Sequence, residues 1–437
     1  MLKISANRRF LVHNDGTPFF YLADTAWELF HRLSLEDADV YLHDRAAKGF
    51  TVIQAVALAE YDGLHVPNAV GDLPLFDDDP TRPNEAYFEH MDEIIGRAES
   101  LGLYIGLLPT WGDKWNRKWG VGPEIFTPEN AYAYGLWLGQ RYADAPIIWI
   151  LGGDRLIESD AHREVIAAMA AGLREGDGGT HLITFHPQGQ HTSSEYFHEQ
   201  DWLDFNMLQS GHTRNRDNWR MITNDYQMLP TKPCMDAEPG YEDHPADFKL
   251  DNGYLDEYDV RKALYWALFA GAHGHTYGCH PIWQFWSPRY RPAGFARREW
   301  REALQLPGAG HVRHARSLLR SRPFLSRIPD QALIISDESD QSRHVRATRD
   351  QSGSYALIYL PFYTAITIDL ERLSGNTLIA YWYNPRTGVA MHSAHVPKQG
   401  QYSFEPPMGG PDWVLVLDDA DQHYPIPGTQ TYFERED

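Results

Sequence analysis

Eight short apolar runs, each closing on or just before a Gly, Pro or polar residue, constrain this chain more than any other feature. They fall at 19–24, 51–58, 103–110, 147–154, 181–186, 205–210, 232–238 and 274–279. Continuous apolar strands of this kind are buried on both faces, as in a parallel sheet covered by helices. Helix-type stretches separate most of them. One runs over 34–48, opened by the capping pattern Ser34-Leu35-Glu36-Asp37 and stopped at Gly49. Others cover 84–100 (stopped at Gly102), 128–142, 160–173 and 258–271. Eight such units over roughly 270 residues fit a (β/α)8 TIM barrel better than an open doubly wound sheet. No Gly-rich phosphate loop follows the first run, which argues against a dinucleotide fold.

The texture changes near residue 325. Short β-type runs at 331–336, 344–348, 355–360, 365–370, 377–383, 389–393 and 413–417 are separated by turn sequences such as Ser374-Gly375-Asn376 and Arg386-Thr387-Gly388. This spacing predicts a small antiparallel β-sandwich. The expected organisation is therefore a catalytic barrel over 1–324 and a sandwich over 325–437. The Arg-rich, helix-forming stretch 297–320 would pack between them.

Charge narrows the partners. The chain has 39 Lys+Arg against 60 Asp+Glu, a net charge of −21, which argues against nucleic acid or an anionic membrane as the main partner. Two cysteines, Cys234 and Cys279, make neither a disulfide framework nor a Cys-x-x-Cys zinc pair. The opening Met1–Arg9 segment lacks an apolar core, so a cytoplasmic enzyme is the expectation.

In a (β/α)8 barrel the chemistry sits at the C-terminal strand ends. Those ends carry Asp24, Glu60, Trp111 with Asp113, Asp154, His186, Gln209 with His212, Glu238, and His280 with Trp283. Asp154 closes the very apolar run 147–153, and Glu238 closes the seventh run, with Asp236 expected on the same face one layer deeper. Strands four and seven can face one pocket. Glycoside hydrolysis needs such a pair: one carboxyl protonates the leaving oxygen, and the other attacks the anomeric carbon or activates water. A salt bridge from either acid to Arg155 would be the structural use of the same residues. The rival chemistry is a metal-dependent hydrolase built from His186, His212 and His280. Against it, no His-Glu-x-x-His motif occurs, and His273-Gly274-His275 lies at the far end of its strand. No Gly-x-Ser-x-Gly elbow is present for a serine nucleophile. No cofactor is called for. The aromatics Trp27, Tyr61, Trp111, Trp115, Trp202, Trp283 and Trp286 suit stacking on sugar faces, with Trp111 and Trp283 the expected subsite residues; the alternative use of Trp115 and Trp119 is to anchor their loop.

Four segments, Tyr21-Leu-Ala-Asp-Thr-Ala-Trp27, Trp149-Ile-Leu-Gly-Gly-Asp154, Met235-Asp-Ala-Glu-Pro-Gly-Tyr-Glu242 and Tyr381-Trp-Tyr-Asn-Pro-Arg-Thr-Gly388, occur in an order that resembles the apiosidase-like glycoside hydrolases, family 140, with their small C-terminal collagen-binding-type β domain. The resemblance implies a retaining glycosidase with Asp154 as acid/base and Glu238 as nucleophile, Asp at strand four replacing the Asn-Glu usual in the broader clan. It implies release of a terminal β-linked apiose from plant glycosides such as apiosyl flavonoids or pectin fragments. The same mechanism on another furanose, such as arabinofuranose, is the nearest alternative. Asp24, Trp27, Trp111, His186, Gln209, His212, Glu242 and Trp283 are the expected sugar-binding residues, with Glu242 also the rival nucleophile. The collagen label has no counterpart in the residues of the second domain, where no basic or aromatic trench is legible.

Overall fold

All eight runs become parallel strands of one barrel: β1 (Tyr21–Thr25), β2 (Val52–Leu58), β3 (Tyr104–Thr110), β4 (Ile147–Gly152), β5 (Ile183–His186), β6 (Asn206–Gln209), β7 (Cys234–Asp236) and β8 (Gly274–Tyr277). This computed structural model describes residues 1–336 and 341–436. The strands follow the order β5-β4-β3-β2-β1-β8-β7-β6, and the short run His191–Thr192 pairs antiparallel with β6. The regular ladder lapses between β5 and β6. There Asp204 N donates to Ile183 O at 2.9 Å, and the Asp204 carboxylate and Thr184 hydroxyl bridge the two strands at 2.7 Å each. The barrel is nearly closed, and side chains complete the seam.

Alternation along β1 sends Tyr21 and Ala23 inward and Leu22 outward, as period two requires. The barrel interior is filled by Val52, Val56, Leu108, Ile148, Ile150, Phe205, Met207 and Met235. A polar group at its centre, Gln54, is satisfied by Tyr21 OH at 3.1 Å and the Ala237 carbonyl at 3.2 Å. Part of the first expected strand belongs elsewhere: Pro18–Phe19 joins the hairpin Leu2–Ile4 and Leu11–His13 in a three-stranded antiparallel sheet. Leu2, Leu11 and Phe19 pack onto the interior cluster and plug the N-terminal mouth of the barrel.

The outer layer holds α1 (Leu35–Ala47), α2 (Glu85–Ser100), α3 (Pro128–Arg141), α4 (Asp160–Gly176), α5 (Asn218–Gln227), α6 (Glu257–Phe269) and α7 (Pro307–Arg320). Ser34 caps α1 by accepting from Asp37 N, and Thr127 with Asn130 forms a full capping box on α3. α5 was not among the expected helices. No helix of the described residues is long and apolar enough to cross a membrane.

The C-terminal strands form a six-stranded antiparallel sheet, in the order Arg327–Pro329, Arg346–Asp350, Tyr355–Leu360, Trp413–Asp419, Thr377–Asn384, Val389–Pro397. A two-stranded ladder, Ile366–Asp369 with Gln401–Phe404, packs with it around a core that includes Ile358, Ile366, Ile368, Leu415 and Phe404. The expected strand at 331–336 is instead a 3-10 turn at Gln331–Leu333, because the Asp330 carboxylate caps Ala332 N.

One buried core runs from the barrel helices into this sheet. Tyr265 of α6 stacks on Tyr359 at 4.7 Å, and Tyr383 OH donates to the His314 carbonyl of α7 at 2.8 Å. Arg261 of α6 grips Asp412 through two 3.0 Å bonds, and Arg322 grips Asp418 at 2.8 and 2.6 Å. Beyond the last strand the chain returns to the barrel. Tyr432 N donates to Arg320 O, the Glu434 carboxylate accepts from Phe324 N and Leu325 N, and Glu436 N donates to Gly16 O at 3.0 Å.

Candidate active site

A cavity of about 720 Å³ opens at the C-terminal strand ends. Asp154 and Glu238 both line it, from the tips of β4 and β7. Asp154 is presented by an unusual turn: Gly152, Gly153 and Asp154 have φ of 98°, 95° and 58°, three left-handed residues in succession. Glycine is required twice here. A Cβ on Gly152 would lie 2.3 Å from the His186 carbonyl, and one on Gly153 would lie 2.7 Å from Gly112 N. The turn is stitched on both sides, by Gly153 N to His186 O at 3.2 Å, Gly112 N to Gly153 O at 3.1 Å, and Trp115 Nε1 to Gly152 O at 3.0 Å. Left-handed backbone at a non-glycine residue concentrates at functional sites.

Glu238 sits just beyond β7, where the chain has left the strand. Two imidazoles face its carboxylate: His186 Nε2 is 3.0 Å from Oε2, and His212 Nε2 is 3.4 Å from Oε1. Burial alone would raise the Glu238 pKa, but the two imidazoles against its carboxylate, His186 and His212, outweigh it and hold the carboxyl well below the usual carboxylate range. Asp154 goes the other way. Burial, and after it the negative charge of Glu238, raise its carboxyl to about 7 against the opposing pull of Arg155, His186 and His212. Two acids in one cavity thus differ in protonation near neutral pH, which is the arrangement acid–base chemistry needs.

Five of the other expected binding residues, Trp27, Trp111, Gln209, His212 and Trp283, line this cavity. Trp27 and Trp111 pack at 5.4 Å, and Tyr61 stacks on Trp283 at 5.9 Å. The buried Gln209 Oε1, Trp111 Nε1 and His212 Nδ1 make no hydrogen bond within the protein, leaving directed polar groups for hydroxyls.

Four expectations are corrected. Asp24 does not reach the cavity: period two turns it outward from β1, where its carboxylate accepts from Tyr41 OH and Arg45 Nε, both at 2.6 Å, and it is fully buried. Glu242 is also a structural acid, accepting from Tyr277 OH and, at 3.1 Å, from Gly308 N, away from the cavity lining. His186 lies beneath the floor, fully buried, touching Glu238 rather than the open space. Asp236 likewise does not share Glu238's face. Met235 and Ala237 point inward, so Asp236 points to the helix layer, bonded to Ser210 Oγ at 2.7 Å and Asn218 Nδ2 at 2.9 Å.

Several lining residues stand outside the expected binding set, Glu60 and His280 having been placed at the rim without a sugar-binding role. Glu60 follows β2, and burial with the negative charges of Glu28, Asp154 and Asp113 holds its carboxyl well above the usual range. Trp119 lies in the loop after β3, while Tyr241, His244 and Phe248 come from the loop after β7. His244 stacks on His212 at 4.2 Å and meets His280 edge-on at 4.4 Å. Its Nδ1 is engaged by the Pro245 carbonyl, and His280 is engaged at both nitrogens, by Gly294 O and Trp283 Nε1. These rings pack against one another instead of aiming lone pairs at a common point. Among the described residues no three His, Cys, Asp or Glu are arranged to hold a metal ion. His273 and His275 are buried at the start of β8, away from the cavity.

The sequence over residues 5–326 matches the family described as "Apiosidase-like, catalytic domain". The chain belongs to the apiosidase-like glycoside hydrolases. Residues 328–418 of this hydrolase match the "Putative collagen-binding domain of a collagenase". A solved structure described as a glycoside hydrolase is 33% identical, covering 96% of this chain and 97% of its own, with a TM-score of 0.88. A second, described as a glycoside hydrolase family 5 protein from Bacteroides vulgatus ATCC 8482, is also 33% identical, covers 99% of this chain and 96% of its own, and has a TM-score of 0.90. No curated relative matches the sequence. The hydrolase therefore acts on a carbohydrate substrate, and the two-carboxylate cavity opens at the strand ends where (β/α)8 folds carry their sites.

Proposed function

We propose that the protein is a retaining exo-glycosidase that removes a terminal β-linked apiose from plant glycosides. The observation that carries the mechanism is the opposed protonation of the two acids in one cavity, Glu238 ionised between two imidazoles and Asp154 protonated up to about pH 7. In the first step Glu238 attacks the anomeric carbon. The bond to the leaving oxygen breaks with its electron pair going to that oxygen, which takes the Asp154 proton. Once Glu238 is esterified its negative charge is gone, and the pKa of Asp154 falls. The Asp154 carboxylate then takes a proton from water, which attacks the anomeric carbon and releases Glu238. His186 and His212 keep Glu238 ionised and oriented for attack, while Gln209 and Trp111 offer hydrogen bonds to hydroxyls. The sugar itself is supported by family membership, with an arabinofuranoside the nearest alternative.

The test is release of free sugar from an apiosyl flavone by wild type, Asp154→Asn and Glu238→Gln, with the product anomer read by NMR within the first turnovers. Retention, with each variant down by about 10³ or more, is expected. Inversion would overturn the double displacement. Release of arabinose but not apiose from matched substrates would replace the sugar.

A further inference from the structure

Trp119 presents one of the largest apolar side chains in the protein to solvent: it is 61% exposed and lines the cavity. It is not loosely held. The Arg155 guanidinium lies over its ring, 4.3 Å from the centroid, and Arg155 Nη1 donates to the Asp154 carbonyl at 2.8 Å while Nε donates to Asn116 O at 3.0 Å. The following turn is pinned by Gly122 N to the Asp113 carboxylate at 2.9 Å. Trp119 is thus a fixed plane beside Asp154, on the side of the cavity where the leaving oxygen must sit if Asp154 is its proton donor. Phe248, 62% exposed, also lines the cavity. It meets His244 edge-on at 4.7 Å. β3 and β7 stand four places apart in an eight-stranded ring, so the loops carrying these two aromatics face each other across the mouth.

The charges around this mouth are specific. Among the described residues lining the cavity, Arg155 is the single Lys or Arg, and it is buried: its Nε and Nη1 donate to Asn116 and Asp154 and its face covers Trp119. A carboxylate on the leaving group would find no exposed Lys or Arg there, and it would meet Asp247 and Glu238. We propose that Trp119, opposed by Phe248, is the leaving-group platform, and that it selects a flat, uncharged ring, phenolic or neutral sugar, over a uronate. This rests on the reading of Asp154 as the acid, and it separates flavonoid-type substrates from uronate-bearing pectin fragments. Ring stacking and a cation behind the ring supply the attraction.

Calorimetric titration of the full-length protein with a free flavone, with cellobiose and with trigalacturonate tests it without any turnover. We expect one neutral ligand to bind, identifying the source of the ring. In Trp119→Ala its affinity falls about ten-fold, equivalent to about 1.4 kcal/mol, and Trp119→Phe recovers most of the loss. Trigalacturonate binds far more weakly. Binding indifferent to Trp119→Ala, no binding of either neutral ligand, or trigalacturonate binding as tightly as the better neutral one would each overturn the platform. Trp119-dependent binding without sugar release from any apioside would keep the platform and remove the proposed sugar. Sugar release with Trp119-independent binding would do the reverse.

Discussion

Replacing Gly152 by Ala tests whether the site depends on the backbone that presents it. The added Cβ would lie 2.3 Å from the His186 carbonyl at a residue whose φ is 98°. Ordinary contact needs about 1 Å more, so either the β4 tip or the β5 tip must move by that amount. Asp154 is two residues along from the first, and the second carries His186, whose ring faces Glu238 at 3.0 Å. A misplacement of about 1 Å at reacting groups costs on the order of 10²-fold in rate. A left-handed Ala adds about 1–2 kcal/mol of strain, which a domain this size tolerates. We expect Gly152→Ala to fold, with a modestly lowered Tm and kcat reduced about 100-fold on the apiosyl flavone. Gly96→Ala is the control. That glycine lies exposed within α2 with nothing within 4 Å of its Cβ position, so the change should raise stability by about 0.5–1 kcal/mol and leave kcat alone. A folded Gly152→Ala protein with kcat within about three-fold of wild type would refute the argument that the double-glycine turn positions both carboxylates.

Four further outcomes follow from the charges. Because Asp154 must be protonated to act, kcat/KM should fall as pH rises through about 7, while the acid limb should lie well below the ordinary Glu range because Glu238 stays ionised there. In Glu238→Gln the Asp154 carboxyl, followed by carbon NMR, should titrate lower than in wild type; an unchanged midpoint would show that the two acids do not sense each other. His186→Ala should move the acid limb of the pH–rate profile upward, and a profile identical to wild type would remove His186 as the group holding Glu238 ionised. Asp412→Ala strands the buried Arg261 without its partner and should cost about 3–5 kcal/mol in urea unfolding; a loss under about 1 kcal/mol would mean the pair is not what joins α6 to the sheet.

The parts of this molecule that obey periodicity were readable in the chain. The apolar runs became β1–β8 because burial on both faces leaves few other uses for them, and Ser34 marked the start of α1 because a cap needs an acceptor side chain at that place. Parity was where sequence reasoning failed. Asp24 was assigned to the pocket by proximity to a strand end and Asp236 by sharing parity with Glu238, yet each points outward with its strand's alternation, and Glu238 escapes that rule only because it lies past the end of β7. Glu242 lies four residues on from Glu238, but Tyr277 and Gly308, both distant in sequence, claim its carboxylate. Trp119 sits between Lys118 and Gly120 in a loop with no period to read. What holds its ring in place is the Arg155 guanidinium, distant in sequence. Arg327–Pro329 and Gln401–Phe404 are too short and polar to announce themselves as strands, and pairing partners define them.

The returning tail changes what motions remain open to the second domain. A module joined to a barrel by one linker can swing like a door. Here the polypeptide leaves the barrel after α7, builds the antiparallel sheet, and comes back to be tied at Arg320, Phe324 and Gly16. A body fastened at entry and exit, with a shared core between, has no hinge axis left to it; it behaves as a brace. Any widening of the cavity to admit substrate must then come from the rim loops alone, and the wall behind α6 and α7 stays fixed while they move.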